Sequence, residues 1–346
     1  FLRSQRAVER RGDTTGFGAF YPDEIVWLYN ERGVVKLAQG DLYEARAAFD
    51  EADRFNRTYV EFGDRALNWR RITLNQIVVD IERGRFSSAR DRIDMIEREI
   101  SPKKWERAQS LADQARPGSV QADPVISYEE MLALGLTTGY RGLCDLFRGD
   151  MLGARRGFEQ AMALLHRLGE LRALAIFQRY YASLGQAILE GGVADDMLER
   201  AICSAQAAHQ MDVVHQGRIR RADRRISPGR LDELARSNRD LIDALRYADS
   251  TDTYRVRVEA RRGLARLRIA SGDYEVALEH AIDAMTTATR YGLSLRKIDL
   301  RILIGEILIL RGDPLSGRAL IHAAIEAATR IGYQRALAHA HTALGG

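Results

Sequence analysis

Only two of the 346 residues are cysteine, six are proline and four are lysine, and no long apolar run is present. Two cysteines cannot build a disulfide framework. Cys144 and Cys203 both fall in helical patterns, where the expectation is a pair of buried thiols in a reducing cytoplasm, the alternative being a disulfide or a reactive thiol. The most apolar stretch, LRILIGEILIL at 300–310, carries Glu306 and is well short of the roughly 20 residues of a membrane helix. The opening FLRSQRAVERRGD is charged and has no apolar core, so it does not read as a secretory signal. A start at Phe1 reads as a fragment of a longer protein. The scarcity of lysine against 48 arginines points to a GC-rich, bacterial genome more than to chemistry.

Catalytic and metal chemistry are also missing. GFGAF at 16–20 lacks the third glycine and the preceding apolar strand of a phosphate-cradling loop, and reads as a turn. His339 and His341 are two apart and His209 and His215 six apart, spacings that do not put two rings on one helix face. Neither cysteine has a histidine at ligand spacing. The expectation is a chain that is not an enzyme and holds no metal or cofactor.

What the sequence does contain is a repeat. A small residue is followed seven positions later by Gly-Asp and a large residue, then by alanine three further on and by apolar or small residues four and seven beyond that. Gly33, Gly40-Asp41-Leu42, Ala45, Phe49 and Ala52 form the first copy. Further copies run through Gly84 and Ala89, Gly149-Asp150 and Ala154, Gly192 and Met197, Gly272-Asp273 and Ala277, and Gly312-Asp313 and Gly317. A degenerate fifth copy fills the gap at 217–245, with Pro228-Gly229 as its turn and Leu231, Ala235 and Ile242 as its second packing face. Each unit is a helical hairpin: glycine closes one helix in the left-handed conformation, and aspartate caps the next. One hairpin cannot bury its own apolar stripe, so neighbours must stack.

This spacing resembles the tetratricopeptide repeat family over residues 23–346, and in its unit length, nearer 40 than 34 residues, the long-helix repeats in sensor portions of bacterial signal-transduction ATPases and MalT-like regulators. The resemblance implies an all-α, right-handed superhelical solenoid of about seven hairpins plus a terminal helix near 334–344. The expected division is an N-terminal linker at 1–22, repeats one and two at 23–100, an inserted excursion at 101–127, and repeats three to seven with the terminal helix at 128–346. The excursion holds half of the prolines and two of the lysines, and reads as exposed with a short helix at 103–115.

Charge is uneven. Between Arg218 and Arg268 stand 15 arginines against 8 acidic residues, while the whole chain is only +4. Taking Ile219, Ala222 and Ile226 as core-facing leaves Arg220 and Arg224 on an adjoining face, with Arg262 and Arg266 in the corresponding places of copy six. By the family's geometry first helices line a concave groove, so these four imply an anion-binding patch. Arg179, Gln186, Trp27, Asn30 and Arg71 are further groove candidates, Trp27 as an apolar anchor. Arginine suits such a patch because its planar fork bonds carboxylate or phosphate through two parallel hydrogen bonds. The competing reading is an ordinary network in which Asp223, Asp232, Glu233, Asp240 and Glu259 neutralise the cluster, and Glu306 pairs with Arg266.

The resemblance therefore implies a binding or sensor module for a protein segment or small anionic ligand, coupled to effector domains outside this chain in a bacterial regulator or defence protein. Its partner is a protein or peptide, acidic in one reading. An assembly scaffold, with homo-oligomer contacts at the apolar C-terminal helix, and nucleic-acid backbone binding through the 218–268 window stand as alternatives. No membrane partner is expected.

Overall fold

The computed structural model describes residues 21–60, 62–113, 125–184, 192–227 and 229–345. Among them there are sixteen α-helices and no strand. In chain order they are α1 Tyr21–Gln39, α2 Leu42–Tyr59, α3 Phe62–Glu82, α4 Phe86–Glu99, α5 Pro102–Asp113, α6 Tyr128–Phe147, α7 Met151–Leu168, α8 Leu171–Tyr181, α9 Val193–Ala207, α10 Met211–Arg225, α11 Leu231–Thr251, α12 Tyr254–Ala270, α13 Tyr274–Arg290, α14 Ser294–Leu310, α15 Pro314–Ile331 and α16 Gln334–Gly345. None of these is long and apolar enough to cross a membrane.

The hairpin turns show why the Gly-Asp pair recurs. Gly40 has φ +86°, a conformation that costs other residues about 1–2 kcal/mol. It lets Asp41 N–H reach back to Lys36 O at 2.9 Å, satisfying a carbonyl that the helix end leaves free. The Asp41 carboxylate then accepts from Glu44 N–H at 3.1 Å and caps α2. Asp150 and Asp313 cap α7 and α15 in the same way. The anchors Ala45, Ala89, Ala154 and Ala277 are fully buried, as are Phe49, Ile93, Phe158 and Ala281 one turn on. Where two helices press closest, no side chain fits: a Cβ on Gly305 of α14 would lie 2.7 Å from Gly317 O of α15.

Three details differ from the expectation. In copy five the buried face of α11 is Leu234, Ser237, Leu241, Ala244 and Ala248, whereas Ala235 is exposed and Leu231 is 78% exposed. Ser237, not Ala235, holds the anchor position, 40 residues before Ala277; α11 is 21 residues long and its first turn projects past the core. The helix α5 is docked rather than exposed: Ala108 and Leu111 are buried, and Arg167 donates to Leu111 O at 3.0 Å. Cys144 is buried, but Cys203 is exposed.

Consecutive hairpins stack, and the stack returns on itself. Gly40 abuts the backbone of Arg255 at the start of α12, Gly84 abuts Leu295 at the start of α14, and Gly149 abuts Gln334 at the start of α16. Leu42 N–H donates to Tyr291 O at 3.0 Å, and the Phe147 and Tyr333 rings meet edge to face at 5.5 Å. Each early hairpin therefore rests on the hairpin five further along. One hydrophobic core joins residues of α3–α8 to residues of α14–α16. The inner wall of the solenoid is closed over as a result.

Candidate functional site

The closure leaves a cavity of about 230 Å³ on the inner wall, lined by Phe147, Tyr180, Arg220, Glu259, Arg262, Arg266, Arg296, Asp299, Leu303, Tyr333, Arg335 and His339. Apart from Tyr333, which immediately precedes α16, each belongs to the first helix of a hairpin or to α16. Glu259, Asp299 and His339 are spaced by 40 residues, so the same helical position in α12, α14 and α16 delivers a polar group to one wall. Tyr180, Arg220 and Leu303 share the next position around α8, α10 and α14.

Five guanidiniums face two carboxylates here. Arg296 Nε lies 2.5 Å from Glu259 Oε1 and its Nη1 3.9 Å from Asp299. Arg262 is 2.7 Å from Asp223 and 3.4 Å from Glu259, and Arg266 reaches Asp223 only at 3.8 Å. Burial would raise the Glu259 carboxyl, but Arg296, Arg262 and Arg220 outweigh it and hold it below the usual carboxylate range. Glu82, behind the wall, is lowered likewise: burial opposes, while Arg255 and Arg296 prevail. Tyr333 and Tyr180 donate to Asp299 and Glu82, both at 3.3 Å.

Two arginines have no such partner. Arg220 and Arg335, among the described residues, make no ion pair and no side-chain hydrogen bond. Burial, with the Arg335 and Arg262 guanidiniums alongside, pulls Arg220 down to about 10. Glu259 and Asp223 act the other way without offsetting that burial and repulsion.

The nine residues singled out in the sequence are scattered by this geometry. Arg220, Arg262 and Arg266 converge on the cavity. Arg224 does not; it pairs with Asp195 of α9 at 2.7 Å. The left-handed residues His209 and Asp252, which precede α10 and α12, set the two helices 43 residues apart, one more than the spacing of Arg220 and Arg262. A one-residue slip turns a side chain by ~100°, and the position matching Arg266 is Asp223. Arg179 is buried, with its guanidinium over the Tyr180 ring. Asn30 is buried and accepts from Asn75 at 2.9 Å, Trp27 is 55% exposed, and Arg71 is exposed; none of these three lines the cavity. Gln186 lies outside the described residues. Glu306 pairs with His339 at 3.2 Å rather than with Arg266. Arg296, Asp299, Arg335 and His339 were not singled out as site residues, although the 40-residue step from Glu259 marks Asp299 and His339.

Two solved structures share this architecture. One is NprR in complex with its cognate peptide NprX, with a TM-score of 0.55 and 13% identity over 92% of this chain and 82% of that one. The other is a Rap protein complexed with competence and sporulation factor, with a TM-score of 0.58 and 13% identity over 91% and 79%. The fold is tetratricopeptide-like. No protein-family model and no curated protein matches the sequence. In this tetratricopeptide-like solenoid the first helices form the inner wall, so the cavity occupies the concave face.

Proposed function

We propose that this chain is a non-catalytic recognition module that receives an acidic group, carried by a protein segment, in the cavity of its concave face. The observation that carries the reading is Arg220, a cation on the cavity wall with no carboxylate within ion-pair distance. Ten of the fifteen arginines between Arg218 and Arg268 lie within 4 Å of a carboxylate. The surplus of that window is thereby mostly neutralised within the protein, which weakens nucleic-acid binding as the reading, and of the five arginines left without a carboxylate Arg220 alone lines the cavity. NprR and the Rap protein, two of the solved structures that share the fold, each hold a peptide or factor, which supports a peptide segment as the carrier. The setting that fits such a module is a bacterial regulator in which occupancy is passed to an effector outside this chain.

Fluorescence anisotropy with a labelled glutamate-rich octapeptide and its glutamine counterpart tests this. The acidic peptide is expected to bind, the glutamine peptide to bind at least tenfold more weakly, and Arg220→Gln with Arg335→Gln to abolish the difference. Equal affinity for the two peptides on the unaltered chain would refute it.

A further inference from the structure

The cavity is more specific than a general acidic site. We propose that the group it takes is a phosphate monoester dianion, gripped by Arg220 and Arg335 with Arg266 closing over it. This rests on the reading of the cavity as an anion site and narrows it to one chemistry.

Charge decides first. The lining holds five guanidiniums against Glu259 and Asp299, and the deeper Asp223 brings the excess down to two positive charges. Arg296 and Arg262 are committed to Glu259, Asp299 and the deeper Asp223. Arg220 and Arg335 remain unmatched, and Arg266 has only a long contact to a carboxylate that Arg262 already holds at 2.7 Å. A single carboxylate would leave one of these two charges without a counterion in the cavity. A phosphate monoester carries close to two negative charges once its second proton, with a pKa of about 6, is lost.

Geometry agrees. Three terminal phosphate oxygens can each accept from a different guanidinium, whereas a carboxylate offers two oxygens in one plane. Arg220 comes from α10, Arg266 from α12 and Arg335 from α16, so the donors approach from three helices instead of one plane. The tyrosine hydroxyls are already spent on Asp299 and Glu82, which leaves the arginines as the donors. Size sets the remaining limit. At about 230 Å³ the cavity is smaller than the roughly 300–1,000 Å³ of pockets that enclose a whole drug-sized ligand. It matches about seven or eight waters at their liquid share of about 30 Å³. That is room for a phosphate and the few atoms carrying it, with Phe147 and Leu303 supplying apolar wall for the carrier.

The test is isothermal titration calorimetry and thermal unfolding of the full chain at pH 8, where phosphate monoesters are dianionic. Phenyl phosphate and benzoate are compared as small probes, and a phosphoserine octapeptide and its glutamate counterpart as segments. Each phosphate probe is expected to bind at least tenfold tighter than its carboxylate partner and to raise the unfolding temperature. Arg220→Gln and Arg335→Gln should each weaken phosphate binding tenfold or more. The ligand-free variants should unfold in urea at the same or a higher midpoint, because the change removes a repelled charge. Tighter binding of phenyl phosphate assigns the site to a small metabolite and tighter binding of the phosphopeptide assigns it to a protein segment; either order supports the inference. If glutamate peptide and benzoate bind as tightly as their phosphate counterparts, the phosphate assignment is overturned while the acidic-group reading stands. If no acidic probe binds, both fall.

Discussion

Arg296 of α14 and Glu259 of α12 form an ion pair at 2.5 Å with 6% and 8% of their side chains exposed. Two charges this deep stabilise a fold only while both are present, since each without the other is a buried, uncompensated ion. Arg262 shares the same carboxylate, so Glu259 is the keystone of the cluster. Glu259→Gln is therefore expected to cost about 3–5 kcal/mol, measured as a fall in the urea midpoint. Adding Arg296→Met should restore part of that loss. Additive losses in the double variant would show that the two residues do not act as a pair.

The same carboxylates make the fold sensitive to acid. Glu259 and Glu82 titrate below the ordinary glutamate value of 4.5 when folded, because their arginine neighbours outweigh burial. Unfolding in acid thus takes up protons at both sites. Their contribution is fully present above about pH 4.5 and is lost as the pH falls toward the lower folded-state values. Urea midpoints measured from pH 7 to pH 3 are expected to hold level and then drop. A level profile down to pH 3 would contradict these assignments, and Glu259→Gln should flatten the drop.

The solenoid was legible from local chemistry, and the cavity only in part. Gly40-Asp41 and its counterparts announce a turn because a left-handed residue and a cap are needed within two positions, and nothing distant alters that. Copy five lacks the pair, and its anchor moved from Ala235 to Ser237. The same loss of register put Arg224 in the wrong place: a helix face is known only as well as its starting residue, and His209 and Asp252 fill left-handed positions where glycine would have given a signal. Arg335 had no signal in its own helix. It reaches the cavity because hairpins five apart meet, which is a property of the superhelix and not of any one repeat.

The two cysteines should behave differently. Burial pushes the Cys144 thiol up to about 12, which leaves almost no thiolate at neutral pH, and it is enclosed in the core. Cys203 is exposed on α9. Native protein treated with iodoacetamide at pH 8 is expected to take up one equivalent quickly, at Cys203, with the second appearing only on unfolding. Rapid labelling of Cys144 in the native state would mean that α6 opens far more readily than its packing allows.

Contact between successive turns of the superhelix can be measured by comparing two glycines with the same backbone conformation. Gly40 has φ +86° and Gly272 has φ +77°, so alanine at either carries a similar left-handed strain of about 1–2 kcal/mol. Their surroundings differ. A Cβ at Gly272 meets nothing within 4 Å, whereas one at Gly40 falls 2.7 Å from Arg255 N, a backbone atom that cannot step aside without moving α12. Gly40→Ala is therefore expected to lower the urea midpoint clearly more than Gly272→Ala. It should also weaken ligand binding at the cavity, because α12 carries Glu259, Arg262 and Arg266. Equal losses of stability from the two substitutions would show that the turns of the superhelix lie side by side without holding one another closed.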